Sequence, residues 1–379
     1  MADYLFSGGK NTNNHDVPTI KVIGAGGGGS NAVNRMYREP IPGVDYVVTN
    51  TDAQSLSRYE APTRLQIGER ITRGRGVGGD PELGRQAAEE SKDELADLLR
   101  GAEMVFIAAG MGGGTGTGSA PVIAEVAKSL GALTVAVVTK PFSWEGRRRQ
   151  KVADDGLHRL KEKVDAVIVI PNDRLSYYSD TKLTMSNAFR LADDVLRQGV
   201  QAIAELITIP GEINLDFADV RSVMAGAGAS WMGIGYGRGE NRALDAAKNA
   251  VNCPLLELTV DGAKGVIFSV TGGENLTLAE VQAAAQRISE VVDPDANIFF
   301  GMVHDPKLED AVRITMIATG FPTNEMWSSH RDAELSTLLG NIGSTSGGGD
   351  ADLDLPPFLR RTYGTRRAGV ANPRSNGFG

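Results

Sequence analysis

Short apolar runs alternate along the first half of the chain with longer stretches in which apolar residues recur every three or four positions. The runs at 104–109, 133–139 and 165–170 are nearly continuous and of strand length, which is typical of strands buried on both faces. A helix-like stretch at 120–128 follows the first of them. This alternation predicts an α/β fold with a mostly parallel sheet covered by helices on both faces.

A long helical pattern at 184–206 divides the chain. At 1.5 Å per residue it would span roughly 34 Å, long enough to connect two domains. Helical patterns at 240–252 and 277–291 then alternate with short apolar runs, which predicts a second, smaller α/β domain. Those runs, taken here as strand candidates, are 223–225, 254–258, 265–270, 297–301 and 314–320.

Three glycine-rich segments follow predicted strands. The most prominent, 110–118, lies between an apolar run and a helical pattern, and 24–31 follows a predicted strand at 19–23. The third, 74–80, ends in Asp80, a typical helix N-cap, and the helix after it should reach about residue 100. Glycines let a backbone approach a ligand, and N–H groups before a helix bind anions. Thr115 and Thr117 add hydroxyl groups for phosphate oxygens.

Charged residues in three further places are candidate ligand contacts, and two of these places have two interpretations. Glu145 and Arg149 belong either to a solvated loop or to a nucleotide contact, and the residues alone favour neither. Asp216 and Asp219 are three apart, so a helical turn would put both carboxylates on one face. They are either an acidic helix start that suits the helix dipole or a functional pair. Asp52 would lie at the carboxyl end of a strand, where open α/β sheets bind ligands.

Composition narrows the function classes. A length of 379 residues suggests two domains, and a net charge of −8 argues against a general nucleic-acid binder. The single cysteine, Cys253, cannot form an intramolecular disulfide and indicates a reducing compartment. Residues 1–18 have no apolar segment typical of a secretion signal, and no apolar run reaches membrane-spanning length. We therefore expect a cytoplasmic protein.

Three phosphate-binding architectures compete. A P-loop is excluded because no Lys-Ser/Thr pair follows either long glycine run. A Rossmann-type NAD-dependent oxidoreductase could use Gly24, Gly26 and Gly29, with Asp52 on the ribose. However, any glycine run satisfies that pattern, and one pyrophosphate does not need three glycine loops. A sheet that gathers several glycine loops around one triphosphate explains all three.

The segment 112–118 resembles the signature loop of tubulins. Segments 21–31, 49–52, 141–146 and 214–219 are similar, in order, to motifs of the FtsZ family, the bacterial tubulin homologues of cell division. The resemblance covers 19–322 and resumes at 352–361. It implies a tubulin-like GTPase domain joined by a long central helix to a smaller α/β domain, with a disordered tail. The implied segments are a disordered arm (1–18), the GTP-binding domain (19–183), the central helix (184–206), the C-terminal domain (207–325), a flexible linker (326–350) and a partner-binding peptide with a basic tail (351–379).

The same resemblance implies a GTP/GDP site that uses Mg²⁺, whose ligands it leaves open. Glu145 and Arg149 would hold the ribose with Asn172 nearby, Phe189 would stack on guanine, and Asp194 would bind its edge. The phosphates would contact Gly27, Gly28, Gly29, Ser30, Asn31, Gly114, Thr115 and Gly116.

Asp216 and Asp219 would be catalytic, but in trans, as part of a loop that a neighbouring subunit inserts against the γ-phosphate. Such head-to-tail contacts build open filaments, here the division ring at mid-cell. A tubulin-like binding protein that does not polymerise is a further alternative.

The C-terminal segment carries the expected partner sites. The resemblance implies that its peptide binds division regulators or membrane tethers, through Asp354, Leu355, Pro356, Phe358, Leu359 and Arg360. The last twenty residues, 360–379, hold five arginines and no acid. They either serve solubility or make a weak contact with anionic lipid or the acidic filament surface.

Overall fold

The computed structural model describes residues 18–175, 184–209, 213, 215–253, 255 and 260–321. The predictions for the arm at 1–17, the linker, the partner-binding peptide and the basic tail lie outside these residues. So does most of the strand candidate at 254–258.

Ten strands form one sheet with the order β3-β2-β1-β4-β5-β6-β7-β10-β8-β9. From β3 to the first residues of β7 every pairing is parallel, whereas β10 is antiparallel to both β7 and β8. β7 joins the two halves, because Gly228–Ser230 pair with β6 and Trp231–Arg238 pair with β10. The strands are β1 (Ile20–Ala25), β2 (Val44–Asn50), β3 (Thr63–Gln66), β4 (Met104–Gly110), β5 (Leu133–Lys140), β6 (Ala166–Pro171), β7 (Gly228–Arg238), β8 (Gly265–Gly272), β9 (Asn297–His304) and β10 (Ala311–Thr319).

Eleven α-helices occur in the described residues. The longest, α8, has 24 residues and begins after Thr184, whose side chain accepts the N–H of Asn187. None of the described helices combines the length and the apolar character that crossing a membrane requires. The helices are α1 (Gly26–Arg38), α2 (Ala53–Leu56), α3 (Glu69–Thr72), α4 (Pro81–Glu90), α5 (Lys92–Leu99), α6 (Thr115–Ser129), α7 (Arg147–Lys161), α8 (Met185–Thr208), α9 (Phe217–Met224), α10 (Arg242–Val251) and α11 (Leu278–Ser289).

The parallel half of the sheet is buried on both faces. Along β4, Met104, Phe106 and Ala108 pack into one hydrophobic cluster, while the alternate residues Val105 and Ile107 pack into another. Successive side chains of a strand point to opposite faces, so each continuous apolar run serves two cores. This confirms the predicted α/β fold.

Two element predictions were wrong. The helix expected from 81 to about 100 is two helices, α4 and α5, which meet at Ser91, whose hydroxyl accepts the N–H of Gly68. The strand candidate at 223–225 is instead the end of α9 and the residue after it. In both places a side-chain hydrogen bond that the apolar pattern does not show accompanies the change: Ser91 accepts the N–H of the distant Gly68, and the N-cap Asp216 accepts the N–H of Asp219.

Candidate nucleotide site

Both long glycine runs contain the beginning of a helix. α1 starts at Gly26, immediately after β1, and α6 starts at Thr115, although both stretches were expected to be loops. The glycines allow close packing of the backbone: a Cβ on Gly29 would lie 2.0 Å from the carbonyl oxygen of Ala108, and one on Gly26 would lie 2.5 Å from the nitrogen of Gly116. Two helices can therefore begin side by side at the carboxyl edge of the sheet.

Other glycines in the same runs face open space. A Cβ added to Gly27 or Gly113 would meet no atom within 4 Å. Gly27 and Gly28 are exposed. The glycine runs therefore have two roles, with one set closing the packing between helices and the other leaving the backbone open to a ligand.

The first N–H groups of α1 and α6 are available to a ligand. Their N-cap residues, Ala25 and Gly114, provide no side-chain hydrogen bond. In contrast, Asp80 at the end of the third glycine segment accepts the N–H groups of Glu82 and Leu83 at the start of α4. An uncapped helix start favours an anion through its free N–H groups and its dipole.

Two hydroxyl groups expected at the phosphates are buried elsewhere. Ser30 donates to the carbonyl oxygens of Gly24 and Thr49, and Thr117 accepts the N–H of Gly112 at 2.9 Å. Both residues are fully buried, so neither hydroxyl is exposed to a ligand. Thr115 remains partly exposed, with its hydroxyl 2.8 Å from that of Thr51.

A cavity of about 510 Å³ brings the glycine segments 74–80 and 110–118 together with the start of α7. Its size suits a nucleotide or a large part of one. Its lining consists of Gly78, Gly79, Gly112, Gly113, Gly114, Glu145, Arg148, Arg149 and Val152.

Glu145 and Arg149 form a fixed pair at this cavity. Arg149 Nη1 lies 2.8 Å from Glu145 Oε2, and the other oxygen of Glu145 accepts the N–H of Phe142. The Glu145 side chain is 6% exposed. The Glu145 carboxylate is therefore held by Arg149 and by the N–H of Phe142 rather than by solvent. This favours the nucleotide-contact interpretation over the solvated loop.

An aromatic cluster and an unpaired amide oxygen lie beside this pair. Phe142 stacks on Trp144 with a centroid distance of 5.3 Å, and the ring of Phe189 meets both edge-on. Phe189 remains 45% exposed, so one side of it is free to stack on a base. The Oδ1 atom of Asn172 is buried, with no hydrogen-bond partner in the described part of the chain. Such an atom is suited to accept a hydrogen bond from a ligand.

Asp193, rather than the expected Asp194, faces α1. Its carboxylate lies 3.0 Å from Nε of Arg35, and burial raises the pKa of Asp193 to about 6 although Arg35 opposes that shift. The carboxylate of Asp194 instead accepts from Arg197 and Gln198 of its own helix. Asp193 is four residues from Phe189, so the two share one face of α8, whereas Asp194 is turned away.

Tyr59 completes the cluster around Asp193. Its hydroxyl donates to Oδ1 of Asn31 at 3.1 Å, and burial, followed by the charge of Asp193, raises the pKa of Tyr59. Asp193, Arg35 and Tyr59 were not among the residues predicted from the sequence. The four-residue spacing from Phe189 could have identified Asp193, but no pattern in the sequence singles out Tyr59.

Asp216 and Asp219 lie beyond the other end of α8. Asp216 is the N-cap of α9, and its carboxylate accepts the N–H of Asp219 at 2.8 Å. The pair is therefore an acidic helix start, and the exposed Asp216 carboxylate also faces solvent. From Phe189 to Thr208 the helix advances roughly 29 Å, at 1.5 Å per residue. Phe189 thus lies near the start of α8, whereas Asp216 and Asp219 lie beyond its end.

Within the residues described, no group of three or more His, Cys, Asp and Glu side chains is placed to hold a metal ion. Mg²⁺ at nucleotide sites usually keeps several waters and binds through one or two carboxylates and the phosphates.

Comparison with known proteins agrees with this geometry. Residues 19–180 match the model of the tubulin/FtsZ family GTPase domain, and residues 228–322 match the FtsZ family C-terminal domain. An empty FtsZ dimer from M. jannaschii is 45% identical, with a TM-score of 0.78, and the match covers 81% of this chain and 89% of that one.

More distant structures share the fold. CetZ1 from Haloferax volcanii, a GDP-bound monomer, is 22% identical over 84% of this chain and 99% of that one, with a TM-score of 0.70. CetZ2 from the same organism, a GTPγS-bound protofilament, is 21% identical over 85% and 99%, with a TM-score of 0.68. None of these matches supports the oxidoreductase alternative.

Proposed function

The chain belongs to the tubulin/FtsZ family of GTPases, in its FtsZ branch, and on that premise we propose that it is a polymerising GTPase of the bacterial division ring. GTP binds at the carboxyl edge of the parallel sheet. Subunits stack head to tail in the cytoplasm at mid-cell, and each completes the catalytic site of its neighbour.

The observation that carries the proposal is the separation of two incomplete half-sites. One half consists of the uncapped starts of α1 and α6 and a cavity of about 510 Å³ that reaches Gly114 at the start of α6, and its carboxylate, Glu145, is already paired with Arg149. Asp216 and Asp219, beyond the far end of α8, form an acidic half at the start of α9. One subunit cannot bring both to one phosphate, whereas a neighbour stacked along the helix direction can.

The nucleotide contacts follow from the positions of the side chains. Glu145 and Arg149 hold the ribose, with Asn172 supplying an acceptor. Phe189 stacks on guanine, and Asp193 accepts from the N–H groups of its edge, a role we transfer from Asp194. A carboxylate suits guanine because that edge carries hydrogen-bond donors.

Catalysis uses the carboxylates of the next subunit. Asp216 and Asp219 orient a water for in-line attack on the γ-phosphate, which needs positioning more than covalent chemistry from the protein. Mg²⁺, when bound with the nucleotide, would neutralise charge that develops on the phosphates. The contact is heterologous and does not close, so repeated stacking gives a filament.

Asp52, the residue that an oxidoreductase would use to bind the ribose, already accepts hydrogen bonds from its own chain. The carboxylate of Asp52 accepts the N–H groups of Gln54 and Ser55 at the start of α2 and the hydroxyl of Ser55. Those hydrogen bonds, led by the Ser55 hydroxyl, lower the pKa of Asp52. Asp52 is therefore a helix cap with its lone pairs already engaged.

The partner sites rest on the resemblance alone. We propose that the peptide 352–361 binds division regulators or membrane tethers and that the arginines of 360–379 contact anionic lipid weakly. Vesicle co-sedimentation of the full chain, with and without those arginines, tests the lipid contact. Binding that does not depend on the arginines would contradict it.

GTP hydrolysis measured across protein concentration tests the proposed function. Phosphate release and light scattering are followed together with GTP and Mg²⁺. A shared site predicts that activity per subunit rises with concentration as filaments form. Activity per subunit that stays constant as scattering increases would contradict the shared site, and absence of guanine nucleotide binding would contradict the function itself.

A further inference from the structure

Arg148 is a charge without a structural partner at the nucleotide cavity. The cavity is lined by one carboxylate, Glu145, and two guanidinium groups, Arg148 and Arg149. Arg149 pairs with Glu145 at 2.8 Å, so those two charges offset each other. Arg148, in the described part of the chain, makes no ion pair or side-chain hydrogen bond and leaves the lining one positive charge in excess.

Its position on α7 adds to that charge. Arg148 is the second residue of α7, whose N-cap, Gly146, provides no side-chain hydrogen bond. The positive end of the helix dipole therefore lies beside the guanidinium. An uncapped helix start, a free guanidinium and a cavity of nucleotide size together indicate an anion subsite.

The third glycine segment shows which anion the subsite suits. Gly78 and Gly79 line the same cavity, have φ of +59° and +84°, and leave open space where a Cβ would stand. Unlike α1 and α6, the helix after this segment is already capped, by Asp80. The starts of α1 and α6 therefore offer free N–H groups to an anion, whereas an anion beside Gly78 and Gly79 would need positive charge from another group. Arg148 is the free charge on that cavity.

We propose that Arg148 binds the terminal phosphate of GTP and makes the site prefer the triphosphate to the diphosphate. The inference rests on the proposed function and adds a residue that distinguishes substrate from product. A guanidinium forms two parallel hydrogen bonds to a phosphate. Loss of the γ-phosphate therefore removes its partner while the contacts to ribose and base stay in place.

Nucleotide affinity of three variants tests the proposal. The full chain is kept below the concentration at which scattering appears, and calorimetry measures binding of GDP and of GTPγS with Mg²⁺. Arg148→Ala should weaken GTPγS binding roughly 10- to 100-fold, the range of a charged hydrogen bond, and change GDP binding less than about twofold. Arg148→Lys should recover part of the lost GTPγS affinity, because an ammonium group keeps the charge but cannot form two parallel hydrogen bonds to one phosphate.

Arg147→Ala is the matched control. Arg147 is the preceding exposed residue and does not line the cavity, so the variant changes net charge equally. It should alter neither affinity. Thermal melting of each variant establishes that it is folded.

Three outcomes would overturn the proposal. Equal losses for GDP and GTPγS would put Arg148 on a part of the nucleotide common to both. If Arg147→Ala lost as much nucleotide affinity as Arg148→Ala, the effect would come from net charge and not from the position of Arg148. Unchanged affinities with a higher concentration threshold for hydrolysis would assign Arg148 to the carboxylates of the neighbouring subunit. If the unmodified chain bound neither nucleotide, the proposed function rather than the role of Arg148 would fail.

Discussion

The carboxylates at the two ends of the central helix α8 differ in burial and in their partners. Near its start, the side chain of Asp193 is 14% exposed, is paired with Arg35, and has a pKa raised by burial to about 6. Beyond its end, Asp216 is exposed and caps the next helix. A buried carboxylate can select a ligand inside one subunit, whereas an exposed one can be presented to another molecule.

The helices at the two ends also differ in whether a side chain caps their first turn. α1 and α6, at the nucleotide end, lack side-chain caps, while α9, at the other end, uses its aspartate cap fully. One end of the molecule therefore offers free donors and the other offers acceptors. We infer that these ends are complementary and meet between subunits.

Removing the charge of Asp216 should have the largest effect. Asp216→Asn should lower turnover about 10²- to 10⁴-fold, the usual contribution of a residue that positions or activates a nucleophile. GTP binding and melting temperature should stay unchanged, because asparagine also caps helices. Steady-state hydrolysis, calorimetry and thermal melting measure the three quantities.

Asp305→Asn controls for that variant. Asp305 also caps a helical turn with its side chain, through the N–H of Lys307, but it lies outside the acidic pair. Its substitution should leave turnover intact. Weaker GTP binding in Asp216→Asn would place Asp216 at its own subunit's nucleotide and contradict the comparison.

Substituting a packing glycine should destabilise the nucleotide end. Gly29→Ala puts a methyl group 2.0 Å from the carbonyl oxygen of Ala108, and such overpacking costs roughly 1–3 kcal/mol of unfolding free energy. Urea unfolding measures the loss. Gly29→Ala with unchanged stability would show that the two helices need not start in such close contact.

Substituting Asp193 should change both affinity and pH dependence. Its pKa is about 6 in the folded chain, against 3.8 for a free aspartate side chain, so the folded state binds this proton more tightly than the unfolded one. This group therefore makes stability fall as pH rises from about 4 to 6, by at most about 3 kcal/mol. Asp193→Asn should flatten that slope and weaken GTP binding about tenfold.

The adjacent carboxylate provides the control for Asp193. Asp194→Asn should change GTP affinity less than twofold, because the Asp194 side chain bonds within α8. If Asp194→Asn weakened binding while Asp193→Asn did not, the base contact would return to Asp194, as the sequence had suggested.

An open glycine should show the smallest effect. Gly27→Ala meets no atom within 4 Å, and alanine in a helix is favoured over glycine by about 0.5–1 kcal/mol. Urea unfolding should show slightly higher stability, while GTP binding weakens because the methyl group faces the ligand. Gly27→Ala that bound GTP normally would place the phosphates away from α1.

The sequence predicted the parallel half of the sheet well because continuous apolar runs and glycine segments are local signals. It could not show that α1 and α6 begin inside glycine runs, since that depends on contacts such as Gly26 against Gly116, far apart in the chain. The same holds for Ser30, whose hydroxyl proved to be used by the sheet. The family resemblance implied Asp194 as the base contact, whereas the four-residue spacing from Phe189 favours Asp193, and the two substitutions above distinguish them.

Complementation between two inactive variants tests the shared site most directly. Asp216→Asn keeps the nucleotide half, and Gly113→Asp keeps the acidic half but puts a carboxylate into the cavity at a position with free space for it. A site shared between subunits predicts that an equimolar mixture hydrolyses GTP although neither variant does so alone. A mixture no more active than the sum of its parts, with both variants folded and co-assembling, would contradict it.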